Sequence, residues 1–186
     1  MQPEALLAAL HTAEKLKGTF RHCRTANGHP ESVAAHSWRL ALLAYFVADE
    51  YPDADMNKVI RMCLIHDLGE CFIGDIPSFK KTDADEETEK KQLLGWVDTL
   101  PEPYRAEMTA LYREMLALKS TEARIYKALD NMEAVIQHNE SDLSSWEANE
   151  YTLNLTYGED KAAFSPYLAA LRRAVRDETE KKIEQR

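Results

Sequence analysis

Apolar residues recur along almost every patterned segment of the chain at intervals of three and four, which is the spacing of an amphipathic helix. This periodicity predicts an all-α fold. The predicted helices cover approximately residues 3–16, 31–49, 57–68, 83–100, 103–117, 121–140 and 161–183. Residues 17–30, which contain two glycines, an asparagine and a proline, are predicted to be irregular. Residues 141–158 are ambiguous, with a short packed helix as one interpretation.

Two of the predicted helices bring polar groups into a core-facing stripe. Helix 31–49 presents one face with a histidine at its start, made of His36, Leu40, Leu43 and Val47. Helix 57–68 has almost no polar side, so we predict that it is central, and Gly69 is positioned to end it. Its last residues nevertheless include His66 and Asp67.

The composition narrows the class of protein. The chain has 186 residues and a mass of 21.3 kDa, which suits one domain with a sizeable core. With 45% hydrophobic and 30% charged residues, the composition is that of a soluble globular protein. The net charge of −9 argues against binding to a nucleic-acid polymer or an anionic membrane, although a local cationic site could bind a small anion.

The cysteines and the apolar runs indicate the compartment. Cys23, Cys63 and Cys71 are odd in number, in a chain without a signal peptide, which favours a reducing cytoplasm over a disulfide framework. We predict that Cys63 belongs to the core. The longest apolar run, residues 40–48, is about half of the ~20 residues that a membrane span needs, so no membrane association is expected.

His66 and Asp67 are the first indication of chemistry, because an imidazole and a carboxylate interrupt an otherwise apolar helix. Burial of both groups is costly unless a partner compensates the charge, and a divalent cation does so directly. A hydrogen-bonded His–Asp pair in the core is the alternative, and the dipeptide alone does not decide between the two.

Three further residues extend this pattern. His36 lies on the core-facing stripe of the preceding helix, so two helices can direct imidazoles into one space. Glu70 follows His66 by four residues and shares its side if the helix continues. Asp130 lies off the main apolar stripe of its helix, and the pattern alone indicates a solvated carboxylate. Histidine and carboxylate donors together suit Zn, Mn, Fe, Co or similar ions.

Four blocks of sequence occur in order at residues 30–37 (PESVAAHS), 66–70 (HDLGE), 73–77 (IGDIP) and 127–130 (KALD). Through them the chain resembles the HD-domain metal-dependent phosphohydrolases, whose signature is a histidine, a His-Asp pair and a distant aspartate. Within that family it is similar to the compact subgroup of the bacterial 5′-deoxynucleotidases. The resemblance implies a single-domain helical bundle over residues 1–186, with a motif core of about 16–140 and a C-terminal helical extension, 141–186, packed on it.

The resemblance also implies roles for individual residues. One divalent transition metal, Co, Mn, Zn, Fe or Ni with Mg as a further option, would be held by His36, His66, Asp67 and Asp130. Glu70 and Asp75 would lie close to the reacting water and phosphate as catalytic residues, and Arg21 would help to hold the nucleotide. The chain departs from its relatives at Ala35, where they have an acidic residue, and at His22, near which the deoxynucleotidase has a tryptophan.

The predicted activity is hydrolysis of (deoxy)nucleoside 5′-monophosphates by a cytoplasmic enzyme whose partner is a small-molecule nucleotide. The resemblance also implies a homodimer. Three alternatives stay open: the same fold acting on a nucleoside triphosphate, cyclic nucleotide or alarmone; a metal-stabilised interaction domain without catalysis; and a metal-free helical bundle.

Several charged residues outside the four blocks are predicted to be structural or solvated. Arg39, one turn from the first histidine of the signature, is expected to be an ion-pair partner. Arg24, Lys80 and Lys81 are candidate phosphate contacts, although a solvated loop charge is the favoured interpretation for the two lysines. His29 and His138 are predicted to be surface residues.

Overall fold

The structure is a computed structural model that describes residues 1–185, and most of these residues are helical, as the periodicity predicts. Its helices are α1 (Pro3–Ala13), α2 (Val33–Phe46), α3 (Met56–Ile65), α4 (Glu70–Ile73), α5 (Asp83–Val97), α6 (Tyr104–Ala117), α7 (Thr121–Glu140), α8 (Glu150–Thr156), α9 (Glu159–Ala162) and α10 (Pro166–Glu184). Its strands are β1 (Phe20–Arg24) and β2 (Pro30–Ser32). Within the described residues, no helix combines the length and the apolar character that a membrane crossing requires.

Helices α2, α3 and α7 pack against one another at the centre of the fold. Ser32 caps α2 by accepting a hydrogen bond from the amide of Ala35, and Ser120 caps α7 in the same way through the amide of Ala123. The side chains between the three helices are fully buried: Val33, Leu40, Ala44, Val59, Met62, Cys63, Ile125, Ala128 and Leu129. Each buried Leu, Ile or Met contributes about 2 kcal/mol. The predicted central position of α3 and the core position of Cys63 are therefore confirmed.

Residues 17–30 are not wholly irregular, and on this point the sequence-based prediction is wrong. Strands β1 and β2 form a small antiparallel hairpin in which Phe20 is opposite Ser32. The turn contains Gly28 at φ +79°, a conformation that favours glycine. Because the strands have only five and three residues, they are too short to produce a recognisable alternation in the sequence.

Helix α3 ends at Ile65, three residues before its predicted end, and the chain from His66 to Gly69 turns. The hydroxyl of Tyr112 donates to the carbonyl of Ile65 at 2.6 Å and so satisfies one of the acceptors that the helix end leaves free. Gly69 does not end the helix. A Cβ at this position would lie 2.6 Å from Cγ of Glu89, so the glycine allows α5 to approach closely.

The C-terminal segment packs on α7 through α9 and α10. Thr179 on α10 donates to Oδ1 of Asn139 at the end of α7, with an oxygen–oxygen distance of 2.9 Å. The single helix predicted over residues 161–183 is instead two helices. Ser165 caps α10 and Pro166 occupies its first turn, which separates it from α9.

The ambiguous residues 141–158 contain the short helix α8, which agrees with the interpretation of a short packed helix. Trp146, just before α8, is buried and donates its indole N–H to the carbonyl of His138 at 3.0 Å. That residues 1–186 form one domain stays a prediction, and its last residue, Arg186, lies outside the described part of the chain.

Candidate metal centre

Four side chains from three separate parts of the fold converge on one point. His36 comes from α2, His66 and Asp67 come from the turn after α3, and Asp130 comes from α7. The Asp130 side chain is only 14% exposed, so the solvated carboxylate that the pattern alone indicated is wrong. The tight packing of the three helices fixes the distances within this cluster.

The distances between donor atoms in the cluster suit a single metal ion. The Nε2 atoms of His36 and His66 are 3.1 Å apart. His36 Nε2 lies 3.3 Å from Asp130 Oδ1 and 3.7 Å from Asp67 Oδ2, and His66 Nε2 lies 2.9 Å from Asp67 Oδ2. Ligands bound about 2.1 Å from one ion at angles of 90–110° stand about 3.0–3.4 Å apart. The donor set therefore fits a divalent cation.

The other nitrogen of each imidazole has a partner that holds the ring in position. His66 Nδ1 donates to the carbonyl of Cys63 at 2.9 Å, and His36 Nδ1 forms a short hydrogen bond with the carboxylate of Glu133. Lys127 Nζ lies 2.8 Å from Asp130 Oδ2, so it binds the oxygen that faces away from the histidines. Outer partners of this kind orient metal ligands and set the ring tautomer, so both Nε2 atoms are free to bind a cation.

Glu133 is the residue of this region that the sequence reasoning missed. It is almost completely buried and binds Arg21 at 3.2 Å and Arg39 at 2.6 Å, as well as His36. Burial works to raise the pKa of Glu133, but His36 and the two guanidinium groups outweigh it and lower that pKa to about 2. The sequence did contain one indication of this role, because Glu133 follows Asp130 by three residues on the same helix.

Glu133 also bears on Ala35, which occupies the position where an acidic residue was expected from the family resemblance. The side chain of Ala35 is exposed, and the carboxylate that orients His36 comes from α7. The prediction that Arg39 is a structural ion-pair partner is confirmed by its contacts with Glu133 and Glu140.

Two further carboxyl groups lie beside the cluster. Glu70 is buried, and its Oε2 atom has no hydrogen-bond partner among the described residues. Burial raises the pKa of Glu70 to about 10, and the negative charges of Asp67 and Asp75 act in the same direction. Burial also raises the pKa of Asp75 above its usual value. Glu70 is therefore a carboxyl group that keeps a proton near neutral pH.

The cluster opens on a cavity of about 260 Å³. Its lining includes Arg21, Glu70, Asp75 and Lys81, together with three of the four clustered donors. Lys81 is not the solvated charge that was predicted, because its side chain is 21% exposed and pairs with Glu89 at 2.5 Å. Lys80, at 52% exposure, does lie at the surface. The cavity thus combines cations, acids and metal-ligand donors.

The prediction that His138 is a surface residue is wrong, whereas His29 is exposed as predicted. The His138 side chain is 13% exposed and lies beside Glu150, at 2.8 Å between Nε2 and Oε1. Residue 150 belongs to the segment whose structure was ambiguous in the sequence, so the partner of His138 could not be predicted.

The family model described as "HD domain" matches residues 13–172. The chain therefore belongs to the HD domain family, and this match extends beyond the predicted motif core of about 16–140. Together with the helical structure, it confirms the predicted family and fold class.

Individual relatives give a consistent result. The chain is 33% identical over 113 residues to the 5′-deoxynucleotidase HDDC2 of Bos taurus, a match that covers 60% of this chain and 54% of the relative. It is 32% identical over 111 residues to the dATP triphosphohydrolase of Cyanophage S-2L, covering 58% and 57%. The chain thus spans about half the length of these curated relatives.

A solved structure matches over nearly the whole chain. This is the crystal structure of a predicted metal-dependent phosphohydrolase from Magnetospirillum magnetotacticum MS-1, with a TM-score of 0.79 and 29% sequence identity. The match covers 96% of this chain and 95% of that one. The fold described above is therefore shared over its full extent, including the C-terminal helices.

Proposed function

We propose that this protein is a metal-dependent phosphohydrolase that removes phosphate from (deoxy)nucleoside 5′-monophosphates. The observation that carries the proposal is a cluster of four donors, each within 3.7 Å of an imidazole nitrogen, next to the buried Glu70, whose Oε2 has no hydrogen-bond partner among the described residues. Relatives named 5′-deoxynucleotidase are 33% identical to this chain over 113 aligned residues, which supports the nucleotide substrate.

We propose His36, His66, Asp67 and Asp130 as the ligands of one divalent ion. Two imidazoles and two carboxylates suit Co, Mn, Zn, Fe or Ni, and Mg is a further option. Held by these residues, a divalent ion would supply an activated water as nucleophile and positive charge next to the phosphate oxygens.

Glu70 is proposed as the proton donor to the leaving 5′-oxygen of the sugar. Burial raises its pKa to about 10 in the absence of a bound cation, which favours the protonated form, and Oε2 has no hydrogen-bond partner among the described residues. Asp75, whose pKa is raised less, would then orient the attacking water. Water addition to phosphorus and protonation of the sugar oxygen together yield a nucleoside and inorganic phosphate.

Arg21 is proposed to hold the phosphate or the sugar of the nucleotide. It lines the cavity and is fixed by ion pairs with Glu31 at 3.0 Å and Glu133 at 3.2 Å, so its guanidinium is held before substrate binds. Lys81 lines the same cavity and supplies a second cation. These positive groups offset the repulsion between an anionic substrate and a chain of net charge −9.

One alternative substrate is supported by a specific observation. The dATP triphosphohydrolase of Cyanophage S-2L is 32% identical to this chain over 111 residues, close to the identity of the deoxynucleotidases. The same ligand set could therefore serve a nucleoside triphosphate, with water attacking the α-phosphorus and the bond from that phosphorus to the 5′-oxygen of the sugar breaking, so that triphosphate is released.

The test is a substrate panel. Purified protein is incubated with Co²⁺, Mn²⁺ or Mg²⁺ and with 5′-mono-, 5′-tri- and 3′,5′-cyclic nucleotides in ribose and deoxyribose forms, and product is followed by phosphate assay and chromatography. We expect nucleoside and inorganic phosphate from the monophosphates. An Asp67→Ala protein purified in parallel controls for contaminating phosphatases.

The outcomes separate the alternatives. Release of triphosphate or pyrophosphate from nucleoside triphosphates, without action on monophosphates, would replace the proposed substrate. Absence of product from every nucleotide with every metal would contradict an enzymatic role and favour the metal-stabilised interaction domain.

We also propose a homodimer in the cytoplasm. Helix α2 exposes Trp38, Tyr45 and Phe46 at 63%, 64% and 67%, which is a large apolar area for a monomer surface. Cys23, Cys63 and Cys71 are free and buried, as expected in a reducing compartment. Light scattering coupled to gel filtration should give twice the 21.3 kDa chain mass, and the chain mass itself would contradict the dimer.

A further inference from the structure

A second cluster of metal-ligand side chains lies outside the four donors discussed above. His22 comes from β1, His138 from α7 and Glu150 from the start of α8. His22 Nε2 is 3.2 Å from Glu150 Oε2, and His138 Nε2 is 2.8 Å from Glu150 Oε1. One donor atom from each of the three residues lies within 4.8 Å of the others.

The hydrogen bonds of His138 leave its second nitrogen facing a carboxylate. Nδ1 lies 2.8 Å from the carbonyl of Ala134, and because a carbonyl only accepts, Nδ1 carries the proton. In the neutral ring, Nε2 then carries a lone pair and can only accept a hydrogen bond. It is buried, it has no hydrogen-bond partner among the described residues, and it lies 2.8 Å from Glu150 Oε1. Two acceptors at this distance repel each other unless a proton or a metal cation lies between them.

Glu150 is anchored in the cluster, as a metal ligand must be. Its Oε2 accepts a hydrogen bond from the backbone amide of Glu147 at 2.6 Å, and its side chain is 2% exposed. A buried carboxylate with two imidazoles around it is a donor set that binds divalent cations.

The first cluster provides an internal comparison. His66 donates Nδ1 to a backbone carbonyl of its own segment and presents Nε2 to the ligand position, and His138 does the same. Such a backbone partner fixes the tautomer in which Nε2 can bind a metal. The two clusters thus share the arrangement that makes an imidazole a ligand.

We propose that His22, His138 and Glu150 form a second divalent-cation site that opens on the same cavity as the first cluster. Two nitrogens and one carboxylate suit Zn²⁺, Co²⁺, Ni²⁺ or Mn²⁺ and leave coordination positions open towards the cavity. All three residues line that cavity beside Arg21, so a cation there would face a bound anion. Cation binding at this site does not depend on the proposed phosphohydrolase function.

The competing explanation is a proton, which would convert His138 to an imidazolium paired with Glu150. The two explanations differ in metal stoichiometry. Metal-stripped protein is equilibrated by dialysis against micromolar Co²⁺, and bound metal per chain is measured by plasma mass spectrometry, with the visible absorption of Co²⁺ as a second readout. We expect two equivalents for the unmodified chain.

The variants assign each equivalent to a cluster. Glu150→Gln and His22→Gln should each bind one equivalent, and Asp67→Ala should also bind one, with a different Co²⁺ spectrum. Asp67→Ala combined with His22→Gln should bind none. His29→Ala, which removes an exposed histidine of the same hairpin, is the matched control and should bind two. Circular dichroism establishes that each variant is folded.

Because Glu150 is buried and its variant removes the counter-charge of two histidines, His22→Gln on the partly exposed strand provides the independent test. One equivalent in the unmodified chain that is retained by His22→Gln and lost in Asp67→Ala would overturn the proposal. Two equivalents retained by folded His22→Gln protein would overturn it as well, since the second ion would then lie elsewhere.

Discussion

The cavity has two walls that are built differently. The helical wall consists of His36, Asp67 and Asp130, which the three packed central helices hold together with His66. The hairpin wall consists of Arg21 and His22 on β1 and Glu150 at the start of α8. Strand β1 has five residues and α8 has seven, so the hairpin wall depends on short elements and on ion pairs.

The two walls therefore meet two different requirements of the site, metal ligation and substrate recognition. Metal ligation tolerates only small errors in distance, and long buried helices hold positions of this kind best. Recognition of a substrate can vary between relatives, and short strands and loops allow that variation. None of the four sequence blocks that carry the family resemblance includes Arg21 or His22 on the hairpin wall, while the helical wall carries the complete HD signature.

The largest expected effect is on the helical wall. Asp67→Ala removes one of the four donors and leaves His66 Nε2 without its partner at 2.9 Å. We expect the loss of one equivalent of bound metal and complete loss of turnover, measured by mass spectrometry and phosphate release. Asp53→Ala, an exposed aspartate, is the control. Unchanged metal content in the Asp67 variant would contradict the ligand assignment.

Glu70→Gln should separate chemistry from metal binding. Because the pKa of Glu70 is raised to about 10, the neutral amide resembles the form already present, and folding and metal content should be unchanged. The amide cannot give up a proton, so kcat should fall about 100- to 10,000-fold. Steady-state kinetics and metal analysis on the same preparation measure both, and full activity would exclude Glu70 as the proton donor.

Glu133→Gln tests the link between the two walls, because this carboxylate binds both His36 and Arg21. Loss of such an outer partner should weaken metal binding about 10- to 100-fold. The buried Arg21 also loses a counter-charge, so unfolding free energy should fall by about 3 kcal/mol. Titration and chemical denaturation measure the two effects.

The exposed residue Glu140, which also binds Arg39, provides the control for Glu133. Glu140→Gln should change stability by less than about 1 kcal/mol and leave metal affinity unchanged. Equal effects of the two variants would mean that burial and contact with His36 do not matter.

Arg21→Lys addresses the hairpin wall. Lysine keeps the charge but loses the guanidinium geometry that binds two acceptors at once. We expect KM for a monophosphate to rise about tenfold, the equivalent of one charged hydrogen bond, with kcat little changed. Steady-state kinetics measures this. A fall in kcat with unchanged KM would place Arg21 in the chemical step.

The smallest expected effect is on stability. Gly28 in the hairpin turn has φ +79°, and a Cβ there meets no atom within 4 Å, so Gly28→Ala should cost about 1–2 kcal/mol through backbone strain alone. Gly95 within α5 also has open space, and Gly95→Ala should stabilise by about 0.5–1 kcal/mol. Thermal denaturation measures both, and effects of the same sign would contradict the assignment of the hairpin turn.

The sequence predicted much of the helical wall. Periodicity located α2, α3 and α7, and the core-facing position of His36 followed from its stripe of apolar neighbours. Pattern alone failed at Asp130, because the second side of α7 is buried only by elements distant in the chain. It also failed for Lys81 and His138, whose partners Glu89 and Glu150 come from other elements.

The sequence by itself determined the helices, the family and the candidate ligands, since local periodicity and ordered motifs depend on neighbouring residues. Only the tertiary structure decided that each of the four donors lies within 3.7 Å of an imidazole nitrogen of the cluster, that Glu133 joins the walls, and that His22, His138 and Glu150 meet. Such convergence arises from packing between distant segments, where burial and charge depend on three-dimensional neighbours that spacing along a chain does not specify.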